Sequence, residues 1–231
     1  MNCIDFAGKI DYTYLKLDLT SDKLLSLVKD VLNHKFRSLV VPYYAITWLD
    51  ESIVHKLSLC TVISFPFGTA PTRLKVEEAI AALDMGYDEV DIVSNIWLIK
   101  SGLYDQYREE VKQIVSEIRD RYPDKTIKII GEVTILNYNE LRKAIDAINS
   151  AKPDFFKTST GYGPRGTILD DVIQIRQVLN PEIRIKASGG IRSYRQAMDL
   201  ISAGADVIGT SSAMQIIKEC IKLEGCYSGR I

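Results

Sequence analysis

Asp154-Phe155-Phe156-Lys157-Thr158-Ser159-Thr160-Gly161-Tyr162-Gly163 is the stretch around which the chain is organised. A short apolar strand, Phe155 and Phe156, runs straight into a lysine, and a small polar turn with two glycines follows. Lysine is strongly hydrated and is rarely left at the end of a buried strand without a partner or a task. The pattern repeats at Arg184-Ile185-Lys186-Ala187-Ser188-Gly189-Gly190, about 30 residues further on, the length of one strand-helix-strand unit. Two neighbouring parallel strands would then each deliver a lysine at the same end. Two ammonium groups crowded in a partly dry pocket depress each other's pKa, and the uncharged amine is the nucleophile for a carbonyl.

Outward from these strands, short apolar runs alternate with longer amphipathic segments. Strands are expected at Tyr12–Leu15, Ser38–Val41, Thr61–Phe65, Glu89–Val93, Ile127–Glu132, Phe155–Thr158, Arg184–Ala187 and Val207–Thr210. Several are rich in β-branched residues and lack clean alternation, as parallel strands covered on both faces should. Between them, apolar residues at helical spacing predict helices. One opens at Ser21, one runs from Pro71 toward Gly86, and one spans Tyr104 to Arg121. Others are expected over Asn139–Asn149, Thr167–Leu179, Ser193–Ala203 and Ser211–Leu223, with Ser193 as an N-cap. Strict alternation predicts a closed (β/α)8 barrel, with residues 1–231 as a single domain. The competing doubly wound open sheet usually carries a Gly-rich turn after its first strand, and Asp11-Tyr12-Thr13-Tyr14 has none.

Composition narrows the function. The 231 residues are 46% hydrophobic, with a formal net charge of -1. Such balance argues against nucleic acid or an anionic membrane as a partner through bulk electrostatics. The longest apolar stretch, Leu39 to Leu49, is broken by Pro42 and falls short of a membrane span. The two histidines and the cysteines Cys3, Cys60, Cys220 and Cys226 form no metal-type cluster, so no metal or cofactor is expected. Four free, mostly buried thiols in a reducing cytoplasm is the expected state, and no secretory signal opens the chain.

The strand ends carry the candidate chemistry. Asp91 sits within the apolar strand Glu89–Val93, where a carboxylate is costly unless paired. It either balances a buried lysine or also shuttles protons, and the two roles are compatible. Lys157 alone could extend its amine to solvent. A second cation at Lys186 makes a task, or Asp91 between the two, the better account. Gly161-Tyr162-Gly163, Gly189-Gly190-Ile191-Arg192-Ser193 and Gly209-Thr210-Ser211-Ser212 each end a strand or open a helix. Exposed amides there bind phosphate, although each motif alone could be only a tight turn or a cap. In α/β barrels a phosphate site often follows strands seven and eight, so their convergence predicts a phosphorylated ligand. Glu132 would orient Lys157 or line the barrel. Thr13 and Asp11 would reach a substrate hydroxyl, with packing the alternative for Thr13. Tyr162 would stack on a ligand or pack, and Trp48 and Trp97 are expected in the core or at an interface.

With these motifs in hand, the chain resembles the 2-deoxyribose-5-phosphate aldolase family, Schiff-base aldolases on a (β/α)8 barrel. The matching pieces run from Ile10 to about Ala213. They include Ile10-Asp11-Tyr12-Thr13, Val62-Ile63-Ser64-Phe65-Pro66-Phe67-Gly68, Glu89-Val90-Asp91-Ile92-Val93, Lys157-Thr158-Ser159-Thr160-Gly161 and Lys186-Ala187-Ser188-Gly189-Gly190-Ile191-Arg192. The resemblance implies Lys157 as the Schiff-base lysine, Lys186 as the lysine lowering its pKa, and Asp91 as the carboxylate of a proton relay. It implies Gly161, Gly189, Gly190, Arg192, Ser211 and Ser212 around the substrate phosphate. The implied reaction is reversible cleavage of 2-deoxy-D-ribose 5-phosphate to D-glyceraldehyde 3-phosphate and acetaldehyde. The partner would be a small phosphorylated sugar, with a homo-oligomer, dimer or tetramer, left open. Tyr12 stands where the family usually has histidine, Ser38-Leu39-Val40-Val41-Pro42 replaces a Val-Cys-Val-x-Pro strand, and Ser64 replaces a glycine. These departures are expected near the aldehyde side and bear on acceptor choice. Tyr227 precedes Ser228-Gly229-Arg230-Ile231 and receives no role. The rivals are an aldolase of the same fold with another phosphorylated sugar, and a silent barrel that only binds a phosphorylated metabolite.

Overall fold

The apolar runs form eight parallel strands that close into one barrel in sequence order. They are β1 (Ile10–Thr13), β2 (Ser38–Val40), β3 (Leu59–Ile63), β4 (Glu89–Val93), β5 (Thr126–Ile130), β6 (Phe155–Lys157), β7 (Arg184–Ser188) and β8 (Val207–Thr210). β8 returns to pair with β1, so no edge is left open. The computed structural model describes residues 1–228, with side chains through residue 223. Tyr227 and Cys226 therefore lie outside the described side chains.

Helices alternate with the strands and cover the barrel. Ahead of β1 lies α1 (Cys3–Ala7). Then come α2 (Ser21–His34), α3 (Glu51–Val54), α4 (Thr72–Asp84), α5 (Ile96–Lys100) and α6 (Tyr104–Arg121). α7 (Tyr138–Ala151), α8 (Leu169–Val178), α9 (Tyr194–Ser202) and α10 (Ala213–Ser228) complete the ring. Their starts have local causes. Thr20 accepts from the Lys23 amide ahead of α2, Asn137 and Glu140 cap each other's backbone ahead of α7, and Ser193 caps α9 as expected.

The hydrophobic core lies between strands and helices. Val90, Ile92, Ile127, Ile129, Ile185 and Ala187 face it, and α6 adds Val111, Ile114, Val115 and Ile118. Successive strand side chains point to opposite faces. The alternate residues Asp91, Lys128 and Lys186 therefore point inward, into the barrel, and all are fully buried.

Several expectations need correction. β3 and β5 end at Ile63 and Ile130, short of Phe65 and Glu132, because Ser64 and Glu132 take φ of 51° and 41°. A strand does not run through that left-handed region. Ser64 thus occupies a backbone conformation that suits glycine, held by its amide on Glu78 Oε2 at 3.0 Å. β1 starts at Ile10, which puts Asp11 inside the barrel. Trp48 and Trp97 are 43% and 67% exposed, which removes the core and leaves the interface of the two expected settings. Cys3 and Cys220 are joined in a disulfide that ties α1 to α10, so four free thiols is wrong. Cys60 is free and buried.

Candidate active site

The C-terminal ends of β1, β6, β7 and β8 surround a cavity of about 310 Å³. Thr13, Leu15 and Lys16 line it from β1 and the following loop, and Lys157, Thr160, Gly161 and Tyr162 from the β6 side. Ser188, Gly189, Gly190 and Arg192 close the β7 side, and Thr210 and Ser211 the β8 side.

The turn after β6 is held by a compact set of hydroxyls. Thr158 and Thr167 Oγ1 atoms lie 2.7 Å apart, and Thr167 donates to the Ser188 carbonyl at 2.5 Å. The Ser188 amide donates to Thr158 at 3.0 Å, and its hydroxyl to the Ser159 carbonyl at 2.6 Å. This stitches the ends of β6 and β7 together and fixes where both lysines emerge. Gly161 and Gly189 approach within contact, both at positive φ, so a side chain at either would be strained. Ser212 is not on the cavity wall; its amide is bound by Thr210 Oγ1 at 2.9 Å, behind Ser211.

Under this floor Asp91 Oδ2 accepts from both Lys157 Nζ and Lys186 Nζ, each at 2.8 Å. The expected carboxylate between two lysines is therefore present. The two amines differ in surroundings. Burial pushes Lys157 down, and Lys186 pushes it further down against the pull of Asp91, so its net shift is downward. Burial also opposes a charge on Lys186, but Asp11 and Asp91 outweigh it and hold Lys186 cationic. Burial would raise Asp91, yet Lys128, Lys157 and Lys186 keep it well below the ordinary carboxylate range. Access differs as well: Lys157 lines the cavity, whereas Lys186 is wholly buried and does not. Gly209 leaves room for it, since a Cβ there would lie 3.0 Å from Lys186 Cε.

The resulting geometry is a lysine amine, its pKa lowered by burial, at the floor of a polar cavity with a buried anion and a cation behind it. The chain is similar to known proteins over nearly its whole length. A deoxyribose-phosphate aldolase of Aquifex aeolicus is 40% identical over 220 residues, covering 95% of this chain and 98% of its own. That of Thermococcus gammatolerans is 37% identical over 218 residues, covering 93% and 96%. The chain belongs to the deoxyribose-phosphate aldolase family. The solved deoxyribose phosphate aldolase of Aeropyrum pernix, described as a unique tetrameric structure, superposes with a TM-score of 0.86 at 31% identity over 96% of this chain and 93% of its own. No protein-family model matches the chain.

For an aldolase site, several assignments change. Asp11 is sealed beneath the cavity and pairs with Lys186 and Arg37, so it is not placed to touch a substrate hydroxyl. Thr13 is on the wall. Glu132 holds Thr160 at 2.5 Å and Thr134 at 2.5 Å rather than orienting Lys157. Tyr162 packs edge-on against Phe65 at 5.5 Å at the rim. Tyr12, buried in the outer core against Phe36, and Ser64 and Val40 all lie off the cavity wall. The three departures from the family pattern therefore do not line this cavity.

Sequence reasoning missed Lys128, Arg37 and Glu89. Lys128 Nζ lies 2.7 Å from Asp91 and 2.5 Å from Glu89, and Arg37 bridges Asp11 and Glu89. For Lys128 a signal existed: it interrupts Ile127, Ile129 and Ile130 as Asp91 interrupts its own strand. Among the described residues no group of histidine, cysteine or carboxylate side chains suits a metal, and no helix is long and apolar enough to cross a membrane.

Proposed function

We propose that this aldolase reversibly cleaves 2-deoxy-D-ribose 5-phosphate to D-glyceraldehyde 3-phosphate and acetaldehyde through an imine on Lys157. One observation carries the assignment: of the three lysines paired with Asp91, only Lys157 opens into the cavity. Its amine attacks C1 of the open-chain aldehyde, and loss of water leaves a protonated imine. The bond that breaks is C2–C3 and not C3–C4, because only C2 is conjugated to the imine. The electron pair of that bond moves toward nitrogen to give an enamine, while the C3 hydroxyl loses its proton and becomes the aldehyde of the phosphorylated product. Protonation of the enamine at C2 and hydrolysis release acetaldehyde. Asp91 and Lys186 sit below the wall, so they exchange protons with the substrate through Lys157 or water. Gly161, Gly189, Gly190, Arg192 and Ser211 hold the phosphate and so fix C1 near Lys157.

The reading extends to the rest of the molecule. Residues 1–231 act as one domain, in the cytoplasm, where charged sugar phosphates are retained. A homo-oligomer, dimer or tetramer, is supported by the tetramer described for the Aeropyrum pernix relative. The experiment is reduction of the imine. Protein incubated with deoxyribose 5-phosphate and then borohydride should gain one adduct per chain, on Lys157 by peptide mapping. Lys157→Arg keeps a charge but loses a tunable amine, and should abolish adduct and turnover with the fold intact. An adduct on Lys186 would reverse the two roles. Phosphate binding without any adduct would favour a silent binder, and turnover confined to another sugar phosphate would replace the substrate.

A further inference from the structure

The barrel interior beneath the cavity holds a closed set of charges. Its acids are Asp11, Glu89 and Asp91, and its bases are Arg37, Lys128, Lys157 and Lys186. The pairs run without a break from the cavity floor toward the opposite mouth. Lys157 and Lys186 share Asp91, and Lys186 lies 2.6 Å from Asp11. Arg37 lies 2.5 Å from Asp11 and 2.6 Å from Glu89, and Lys128 returns from Glu89 to Asp91. Every side chain in the set is nearly or fully buried except Arg37, at 19% exposed.

The other strands add no charge to it. β2 contributes Ser38 and Val40, which pair in register with inward Asp11 and with Thr13. β3 contributes the Cys60 thiol, which burial keeps protonated with Asp91 acting in the same direction. β8 contributes Gly209. Arg184 of β7 stands at the exposed end, its guanidinium 3.9 Å from the Phe155 ring centre. Lys16 and Arg192 face the cavity, and Glu132 bonds to threonines beside it.

Three carboxylates and three fixed cations, Arg37, Lys128 and Lys186, cancel. The interior is then neutral when Lys157 is an amine and carries one uncompensated charge when it is an ammonium. A net charge in a water-poor interior is costly. We propose that Arg37, Glu89 and Lys128, none of which reaches the cavity, are positioning residues that set the pH at which Lys157 gives up its proton, by fixing the net charge of the barrel interior. The same excess charge reappears when Lys157 forms a protonated imine. Its removal as the C2–C3 electron pair moves into the imine assists cleavage. The proposal rests on Lys157 being the imine-forming amine.

The signs are opposite for acids and bases. Lys128→Met or Arg37→Gln removes a cation, so Lys157 keeps its proton to higher pH. The acid limb of kcat/KM should move up by about one pH unit. Glu89→Gln removes an anion, and the limb should move down by about as much. The double variant Lys128→Met/Glu89→Gln restores the balance and should return the limb to the wild-type position. Borohydride trapping of acetaldehyde on Lys157, measured against pH, should show the same shifts independently of turnover. Purely structural roles would lower stability and activity without opposed shifts or their cancellation. Arg37→Gln sits at the partly exposed end and the double variant keeps neutrality, so either carries the test if a single buried variant fails to fold. Shifts of the same sign, or a double variant that does not return, would overturn the proposal. Wild-type protein with no adduct on Lys157 at any pH would overturn the imine assignment itself.

Discussion

The two faces of the barrel strands hold opposite chemistry. On β5, Ile127 and Ile129 pack into the outer core, while Lys128 between them points into a cage of ion pairs. On β7, Ile185 and Ala187 do the same around Lys186. Most α/β barrels fill the interior with branched apolar side chains. Here much of that space is given to charges whose mutual attraction roughly offsets their desolvation. The outer layer therefore holds the fold, and the interior holds the ion-paired lysines and carboxylates.

Asp91→Asn should give the largest effect, because it strikes the interior where Lys128, Lys157 and Lys186 meet. Lys157 and Lys186 lose a shared anion, and the proposed proton relay loses its central group. The expected fall in kcat is about 10²–10⁴-fold. Stability should fall as well, by about 3–5 kcal/mol, since buried cations are left without their partner. Steady-state kinetics and urea unfolding measure the two. Unchanged kcat would mean the interior carries no chemistry.

Ile145→Ala sharpens the contrast from the other face. Ile145 of α7 is fully buried in the outer core. Its loss should cost about 2–5 kcal/mol of stability through lost burial and a cavity. Below the melting transition, kcat/KM and its pH profile should stay at wild-type values. A shifted pH profile would show that the two layers are not separable.

How much was legible beforehand follows the same division. Strand-helix alternation could be read because outward and helical positions are apolar with the right periods. Asp91, Lys157 and Lys186 could be read because each interrupts an apolar run. Lys128 gives the same signal, but its partners Asp91 and Glu89 reach it only across the pairing of β4 with β5, which the sequence does not display. Arg37 lies just before β2, where an arginine looks like an ordinary surface residue. Only barrel closure brings it to Asp11 and Glu89. The ends of β3 and β5 depended on the φ values of Ser64 and Glu132, which composition does not encode. The Cys3–Cys220 pair, separated by 217 residues, follows from α1 and α10 meeting in space.

The smallest expected effect concerns the rim, where neither layer dominates. Arg192 is exposed and lines the cavity at the start of the loop into α9, beside Gly189 and Gly190. Its amide is held by Gln196 Oε1 at 3.0 Å, so the backbone there is fixed even though the side chain is free to solvent. A guanidinium in that position can take a phosphate through two parallel hydrogen bonds, while the glycine amides supply contacts that mutation of Arg192 leaves intact. Arg192→Ala should therefore raise KM for deoxyribose 5-phosphate about tenfold while changing kcat little, because the lost contact is made in both ground state and transition state. Cleavage of unphosphorylated deoxyribose should be affected much less, and the acid limb of its pH profile should not move, since Arg192 is outside the balanced interior set. Equal losses on both sugars would remove the phosphate from this corner. A moved acid limb would instead extend electrostatic control of Lys157 from the barrel interior to the rim.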